Sequence, residues 1–327
     1  MNKTFRWGII GLGRIAHKFA TGLQLVPNAQ LYAVASRDIS KAQTFAAEYG
    51  ASHAFGSYEE LLSIKDLDAI YIATPHSEHH ANVLMCLRAG IPVLCEKAFA
   101  FNARQVREMI ATARLENVFL MEAIWTRFLP ATLKTLELIE SGVIGEIKHL
   151  SADFGFLAPY NPDGRLFNKA LAGGSLLDIG IYPLFISKLV LGNPQHIKAV
   201  ATLTETGVDM ACTMALSYES GATASLFSTL AARTDSTATI YGTKGKILMH
   251  SRFHEATAIT LEVEGEAPQH LPCERLGDGY CYEAIHVQEC LTNGLTQSPH
   301  LPLSFSLDLI ELMDEIRRQI GVVYEAD

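Results

Sequence analysis

The sequence predicts two domains: an α/β domain with a parallel sheet, then an α+β domain with a large, mostly antiparallel open sheet. Short apolar runs alternate with helical stretches up to residue 122, as a doubly wound sheet requires. Beyond that point, consecutive strands joined by turns indicate antiparallel pairing. The 327 residues suit about two domains of ~150 residues. We expect domains at residues 1–122 and 123–300, with a helix in 301–327 packing back on the first domain.

Five apolar runs in the first domain are too short for helices and rich in branched residues, so they predict buried strands. They lie at residues 5–10, 31–35, 69–73, 91–95 and 118–121. Helices between them begin at polar caps, because Ser57 and Asn102 each precede a Glu or Gln by three residues. Asn102 is therefore interpreted as a helix cap rather than as a ligand contact.

The second domain begins with a predicted helix at 130–141 and continues with alternating segments that predict strands. These segments lie at 147–156, 197–204, 211–218, 222–230, 236–241 and 246–250, with turns at 219–221 and 242–245. Helical patterns return at 282–291 and 307–320. Two domains with a cleft between them are the expected organisation.

Composition limits the partners that the protein can have. The net charge is −9 without a Lys/Arg run, which argues against a nucleic-acid surface or a polybasic membrane anchor. The N-terminus resembles no signal peptide, and no run approaches ~18 uninterrupted apolar residues. Six cysteines form no CxxC pair, as expected in a reducing compartment. We expect a cytoplasmic protein that binds a small molecule and neither a membrane nor nucleic acid.

The first strand runs directly into a glycine motif, Gly11-x-Gly13-x-x-Ala16, that opens a helix. Gly11 permits a tight turn, Gly13 leaves room for a pyrophosphate, and Ala16 allows close packing of helix and strand. Arg14 and Ile15 begin the helix, where unpaired N–H groups and the helix dipole favour phosphate. In the first βα unit of an alternating chain, this motif predicts a dinucleotide site of the Rossmann type.

The second strand ends in Ser36-Arg37-Asp38, which bears on the choice of cofactor. Ser36 suits a hydrogen bond to a 2′-phosphate, and Arg37 suits its charge, so NADP is favoured over NAD. Asp38 offers the alternative of binding a ribose hydroxyl. A third interpretation is a polar loop that caps the next helix.

Thr74 and Pro75 follow the next strand at the carboxyl edge, where ligands of open α/β sheets bind. His76 is placed to line the pocket. His79 and His80 are expected on the helix surface. The spacing of the three histidines matches no zinc pattern, so no metal is expected.

The segment VLCEKAFAFN, residues 93–102, places Glu96 and Lys97 at the end of another parallel strand. A solvated turn would explain two charges there, and so would a lysine facing the ligand crevice. Further on, the segment GGSLLDIGIYPL, residues 173–184, has Asp178 and Tyr182 four residues apart, on one face if the segment is helical. On these residues alone, Asp178 as a helix cap and Tyr182 as a core aromatic are equally acceptable.

These motifs together resemble the Gfo/Idh/MocA oxidoreductases, in particular the branch of dihydrodiol and NADP-dependent D-xylose dehydrogenases. The family carries a Glu-Lys-Pro motif at Glu96-Lys97, with the lysine at the reaction centre. The resemblance extends over the whole chain through segments such as MEAIWTRFLP, ETGVD, YGTKG and YEAIHVQEC. One departure is Ala98, which stands where the family has a proline whose peptide bond is typically cis. The departure leaves open whether the Lys97–Ala98 bond is cis, and so where the lysine lies.

The resemblance implies that Tyr182 and Lys97 share the proton chemistry of an alcohol dehydrogenation. We favour Tyr182 as the acid/base and Lys97 as the group that lowers its pKa, although the roles are exchangeable. Asp178 would orient a second hydroxyl, and Glu96 would bind cofactor ribose or hold Lys97.

The remaining walls of the substrate site are expected from residues around the end of the first domain and the start of the second. Trp125, Arg127 and Phe128 follow the last strand of the first domain, and Phe154 and Phe253 belong to the second. An aromatic pocket suits a sugar or a cyclic diol. Trp125 and Phe128 fit a core position equally well.

Two functions are compatible with these residues and motifs. The first is an NADP-dependent oxidoreductase acting on a sugar or cyclic diol hydroxyl, with a homodimer formed through the sheet of the second domain, as in relatives. The alternative is a non-catalytic NADP-binding regulator of the same fold. Retention of Lys97, Asp178 and Tyr182 together favours the enzyme.

Overall fold

The computed structural model describes residues 4–327, which form two compact units. Among these residues, the first unit combines 4–128 with 276–307, and the second combines 129–275 with 308–327. These divisions differ from the predicted boundaries at 122 and 300, because the segment 276–307 rejoins the first unit. No local sequence signal marks such a return, since the predicted boundaries followed changes of pattern along the chain.

The first unit contains a six-stranded parallel sheet of order β3-β2-β1-β4-β5-β6. The strands are β1 Phe5–Ile10, β2 Ala29–Ala35, β3 His53–Phe55, β4 Ala69–Ile72, β5 Val93–Glu96 and β6 Leu120–Ala123. The helices are α1 Arg14–Leu23, α2 Ile39–Tyr49, α3 Tyr58–Leu61, α4 His76–Arg88 and α5 Ala103–Glu116, and α8 Cys281–Thr292 later in the chain. The strand order reverses between β1 and β4, and ligands bind at such a switch point in open α/β sheets.

Helix starts in this unit follow the predicted caps. The Ser57 side chain accepts from the Glu60 amide at 3.2 Å, and Asn102 Oδ1 accepts from the Gln105 amide at 3.0 Å. Gln105 Oε1 in turn accepts from the Phe101 amide at 3.1 Å, so that two amides at the start of α5 are satisfied, as in a capping box. The predicted role of Asn102 as a cap is confirmed.

The second unit contains an eight-stranded sheet of order β14-β13-β12-β11-β7-β10-β9-β8. Its strands are β7 Ile147–Gly155, β8 His196–Leu203, β9 Asp209–Ser217, β10 Thr223–Thr229, β11 Ala238–Gly242, β12 Gly245–Met249, β13 Ala258–Val263 and β14 Gln269–Pro272. Only the β7–β10 pair is parallel. The predicted fold class is confirmed. Strands β13 and β14 were not predicted, although Ile259, Leu261 and Val263 of β13 alternate with polar residues; β14 has a single leucine in four residues.

The helices of the second unit are α6 Pro130–Glu140 and α7 Ile181–Leu191, and α9 Leu303–Ile320 crosses from the first unit into the second along the chain. A π-helical turn, Leu176–Gly180, leads directly into α7. A stretch within Lys169–Leu191 has a mean hydropathy of 1.5 and would be long enough to cross a membrane, but 83% of it is buried in the structure. Burial of this kind is expected of a core helix, and α7 covers one face of the sheet.

Candidate active site

The glycine loop lies between β1 and α1, and its backbone shape requires glycine at position 11. Gly11 has φ +85°, and a Cβ there would lie 2.7 Å from the Thr74 amide nitrogen. Gly13 is the N-cap of α1 without any side-chain cap, and a Cβ on it would meet no atom within 4 Å. The start of α1, with the amides of Arg14 and Ile15, therefore opens onto free space. Such an N-terminus fits a dinucleotide pyrophosphate.

Ser36, Arg37 and Asp38 follow β2, and the three residues differ in their contacts and exposure. Asp38 caps α2, since its Oδ1 accepts from the amides of Ser40 at 2.9 Å and Lys41 at 3.4 Å. Ser36 is buried, and its hydroxyl accepts from the Asp38 amide at 3.2 Å. Arg37 is exposed. The capping interpretation thus applies to Asp38, whose carboxylate is engaged by the helix, while Arg37 projects from the end of the strand.

The loop after β4 is joined to the Lys97 segment by histidines. Pro75 is the N-cap of α4, and Thr74 Oγ1 accepts from Asn82 at 3.2 Å. His76 is buried, and its Nε2 lies 3.0 Å from the Lys97 carbonyl oxygen. Thr74, Pro75 and His76 therefore lie at the same sheet edge as the glycine loop.

His79 is fully buried, so its predicted place on the helix surface is wrong. Its Nδ1 lies 2.9 Å from the Ala98 carbonyl oxygen and its Nε2 lies 2.9 Å from the Thr74 carbonyl oxygen. Burial lowers the pKa of His79 to about 4, while the carbonyls oppose the shift. A neutral imidazole has one N–H to donate, so the ring connects the two loops with one hydrogen bond at neutral pH. His80 pairs with Glu108 at 3.0 Å. Within residues 4–327 no cluster of three His, Cys, Asp or Glu side chains could hold a metal.

Lys97 follows β5, and its peptide bond to Ala98 is cis. Glu96 holds the lysine backbone, because its Oε2 accepts from the Lys97 amide at 3.2 Å. The other carboxylate oxygen accepts a short hydrogen bond from the Tyr71 hydroxyl. Burial and the Glu96 charge raise the pKa of Tyr71 well above its usual value, so that its phenol stays protonated as a donor. Tyr71 stacks on Phe19 with ring centroids 3.7 Å apart, and its role is not evident from the sequence.

Two further buried carboxyl groups lie in the first unit. Glu122 Oε1 accepts from the Phe99 amide at 3.0 Å, and burial raises the pKa of Glu122 to about 7. Glu283 on α8 is fully buried, and neither carboxyl oxygen has a hydrogen-bond partner among residues 4–327. Burial and the Glu96 charge raise the pKa of Glu283 well above its usual range. Burial and the neighbouring Glu96 charge therefore both favour the neutral form of the Glu283 carboxyl group.

The predicted wall residues of the first unit are largely built into its core. Trp125 is 4% exposed and stacks on Tyr280 with centroids 4.3 Å apart. Phe128 packs on His286 at 4.6 Å, and Arg127 Nε donates to the His300 carbonyl at 2.8 Å. The alternative interpretation of Trp125 and Phe128 as core residues agrees with this packing.

In the second unit, Asp178 and Tyr182 do not share one regular helix. Asp178 lies in the π-helical turn 176–180, and Tyr182 lies in the first turn of α7. The expectation that both side chains share one face of a regular α-helix is therefore met only in part. The alternative interpretation of Asp178 as a helix cap also differs from its contacts, since Ser175 is the N-cap of the turn. Arg165, which lies in a loop, donates two hydrogen bonds to the Asp178 carboxylate: Nη1 to Oδ1 at 2.7 Å and Nη2 to Oδ2 at 3.3 Å. No motif in the sequence points to Arg165.

The π-helical turn is anchored by Asp209 of β9. Asp209 Oδ2 accepts from the Ser175 hydroxyl and from the Leu176 amide, both at 2.7 Å. Burial raises the pKa of Asp209 to about 6, against these hydrogen bonds. Asp209 is the last residue of the ETGVD segment, one of the segments that resemble the family. Its side chain holds the backbone of the turn that contains Asp178.

Aromatic rings surround Tyr182, which is 7% exposed. Phe154 of β7 lies 5.8 Å from it between centroids, and His254 lies 4.9 Å away. His254 belongs to the 3-10 turn Phe253–Glu255 and was not identified from the sequence. Phe253, expected as a wall, is fully buried, so its neighbour His254 takes the place beside Tyr182.

Comparison with known proteins agrees with both units. Residues 5–124 match the oxidoreductase family model with an NAD-binding Rossmann fold, and residues 132–248 match the GFO/IDH/MocA C-terminal domain. The trans-1,2-dihydrobenzene-1,2-diol dehydrogenase of Mus musculus is 40% identical, and the match covers 98% of each chain.

Solved structures agree with these matches. An aldose-aldose oxidoreductase from Caulobacter crescentus, complexed with glycerol, has a TM-score of 0.90, 25% identity and 98% coverage of each chain. A 3-ketoreductase from Actinomadura kijaniata, in complex with NADP and TDP-benzene, has a TM-score of 0.87 and 26% identity, covering 97% of this chain and 98% of its own. From the family models and the curated relative together, the chain belongs to the Gfo/Idh/MocA oxidoreductase family.

Proposed function

We propose that this protein is an NADP-dependent dehydrogenase acting on a hydroxyl of a cyclic diol or a sugar. The proposal rests on one observation above all: Glu96 holds the Lys97 amide and the Tyr71 hydroxyl at the ligand-binding edge of the parallel sheet. A strand end built in this way would present the lysine beside the glycine loop. The dihydrodiol dehydrogenase relative and the aldose-aldose oxidoreductase neighbour support this class of substrate.

The first unit fits a dinucleotide. Gly11, Gly13, Arg14 and Ile15 would hold the pyrophosphate at the start of α1, and Thr74, Pro75 and His76 would line the cofactor along the sheet edge. Bound nicotinamide supplies the hydride acceptor or donor. We assign NADP rather than NAD, because Asp38 is engaged in capping α2 and leaves Ser36 and Arg37 to meet a 2′-phosphate. The NADP-bound ketoreductase neighbour supports this choice.

Oxidation of an alcohol releases a hydride and a hydroxyl proton, so the protein needs a base near the reacting oxygen. We assign Tyr182 as the base that accepts this proton. Lys97 would bind the reacting substrate oxygen, and its positive charge would favour the phenolate form of Tyr182. Other structures of the ketoreductase neighbour are of variants in which one lysine or one tyrosine is substituted. These variants support a role for a lysine and a tyrosine in this family. Glu96 then acts by holding the Lys97 backbone rather than as a proton carrier.

A second substrate hydroxyl would meet the Asp178–Arg165 pair. Asp178 is kept in one orientation by two hydrogen bonds from Arg165, so the pair presents a fixed acceptor and donor. Phe154 adds an aromatic surface that suits the apolar face of a ring. Trp125 and Arg127 are proposed as further substrate contacts. Such a combination favours polyhydroxylated rings over simple alcohols.

The first experiment measures nicotinamide reduction with NADP and NAD against D-xylose, D-glucose, inositols and trans-dihydrodiols. We expect turnover that prefers NADP, and Arg37→Gln to raise the KM for NADP at least ~10-fold while leaving that for NAD nearly unchanged, since a charged hydrogen bond contributes about 1.5–3 kcal/mol. Lys41→Gln, another exposed cation on α2, is the matched control. Equal loss with both cofactors would contradict the assignment of Arg37.

A non-catalytic NADP-binding regulator is the second candidate function. A substitution of Lys97 distinguishes it from the enzyme. We expect Lys97→Met to lower kcat by at least ~100-fold while NADP binding, followed by fluorescence titration, stays within a few-fold of the native value. The exposed Lys65, changed to Met, is the control. A wild-type protein that binds NADP tightly and turns over no substrate in the panel would favour the regulator.

We also propose a homodimer formed through the open face of the second unit's sheet, in a cytoplasmic protein. Val200 on β8 is 70% exposed and Leu203 is 42% exposed, which is unusual for side chains of this type on a sheet. Residues of β9 and β10 on the same face are small, as at Thr213, Ala215 and Ser225. Light scattering gives the mass in solution, and a monomer would contradict the proposal.

A further inference from the structure

His254 lies in a cluster of three rings that comes from three elements of the second unit. Its imidazole stacks on Phe154 of β7, with centroids 4.2 Å apart and planes at 17°. It also packs on Tyr182 of α7, with centroids 4.9 Å apart and planes at 41°. His254 is 4% exposed. The phenol therefore lies against a titratable ring that is held on its other side by an aromatic one.

A fixed carboxylate lies behind the imidazole. Glu255 Oε1 is 3.9 Å from His254 Nε2, and the Glu255 side chain is only 10% exposed. Arg252 and Arg275 both pair with this carboxylate, and Arg275 Nη1 also donates to the Glu255 carbonyl at 2.6 Å. The carboxylate is thus held at a set distance from the ring by contacts that do not involve the ring.

The charged and titratable groups around His254 determine how readily its imidazole takes up a proton. Tyr182 faces it from α7, Glu255 from its own turn, and the two arginines stand beyond Glu255, while β7 contributes the uncharged Phe154. Glu255 favours an imidazolium, whereas burial and the arginines oppose it. Histidine is the side chain whose ordinary ionisation falls between pH 5 and 8.

A tyrosine ordinarily titrates near pH 10, and a positive charge beside the phenol favours its phenolate form. We propose that His254 is a positioning residue for Tyr182: it holds the phenol ring against Phe154 and, when protonated, stabilises the phenolate. The proposal rests on the proposed role of Tyr182 as the acid/base. It assigns a function to the turn 253–255, which lies in the segment where the sequence offered no motif.

The test compares the native protein with His254→Phe, which keeps a flat ring on Phe154 and removes the charge. Tyr182 is observed by NMR of protein labelled with carbon-13 at the tyrosine Cζ, and Tyr182→Phe identifies its signal. We expect Tyr182 to titrate at least about one pH unit higher in His254→Phe. We also expect kcat to fall about tenfold with little change in KM, and the kcat profile to lose one ionisation on its alkaline side, where His254 would lose its charge.

The control is His270→Phe, because His270 is exposed on β14 and its ring contacts His250. It should leave both the NMR titration and the pH profile as in the native protein. If His254→Phe does not fold, His254→Asn gives the same readouts with a neutral side chain.

Two results would overturn the proposal. An unchanged Tyr182 titration in the His254 variants would reduce the residue to a packing role. A rise in KM with unchanged kcat and pH profile would make it a substrate contact instead. Since the NMR titration needs no turnover, failure of the native enzyme with every substrate would count against the proposed function and leave the His254 question decidable.

Discussion

At the scale of single residues, buried carboxyl groups make stability depend on pH. Glu122 has a pKa of about 7 in the folded protein against an ordinary value of 4.5. Its contribution to stability is therefore fully present below pH 4.5 and is lost as the pH rises through 7. Glu122→Gln is neutral at every pH and keeps an oxygen for the Phe99 amide.

The native protein should consequently lose stability relative to Glu122→Gln as pH increases. We expect similar free energies of unfolding near pH 4.5, and a native protein less stable by about 3 kcal/mol at pH 8, at about 1.4 kcal/mol per pH unit. Urea unfolding across this range measures the difference. Glu116→Gln, at the exposed end of α5, is the control, and a pH-independent difference for Glu122→Gln would show that burial does not control the pKa of this carboxyl group.

Residues also differ in how far the sequence reveals them. Gly11 and Gly13 are visible because their spacing forms a known motif after a strand, and Lys97 and Tyr182 because whole motifs resemble a family. Tyr71, Arg165 and His254 are not visible, since each meets its partner across the fold. The Tyr71–Glu96 hydrogen bond joins positions 25 residues apart, and no local pattern records such a pairing.

At the scale of elements, caps can be read from the sequence and irregular turns cannot. Asn102 is recognisable because its partner Gln105 lies three residues away on the same helix. The π-helical turn before α7 depends instead on Asp209, which comes from another strand. Strand β13 pairs with β12, and β14 pairs with β13. These pairings stabilise β14 more than its own short, mostly exposed sequence indicates.

The cap of α5 gives a quantitative expectation. Asn102→Ala removes the acceptor of the Gln105 amide and should lower the free energy of unfolding by about 1 kcal/mol, as for typical N-caps. Chemical denaturation measures it, with Asn102→Ser as a conservative control that restores most of the loss. Equal stability of Asn102→Ala and the native protein would show that Asn102 is not needed as a cap.

At the scale of the whole molecule, the fold class follows from periodicity, while the division of the chain does not. Alternation of strands and helices predicts the parallel sheet, and consecutive strands predict the antiparallel one. The assignment of 276–307 to the first unit arises from packing of α8 near α1, where a Cβ on Gly22 would lie 3.1 Å from the Cys281 amide nitrogen. Contacts between positions so distant along the chain leave no periodic trace.

That return of the chain has a consequence for biosynthesis. A ribosome that has produced residues 1–128 has translated all six strands of the parallel sheet, yet α8, with the buried Glu283, is not translated until residues 129–280 have followed. The apolar surface of α1 that α8 covers stays open during that interval. The nascent first unit is thus completed only after residues 129–275 of the second unit have been translated, although its strands are translated first.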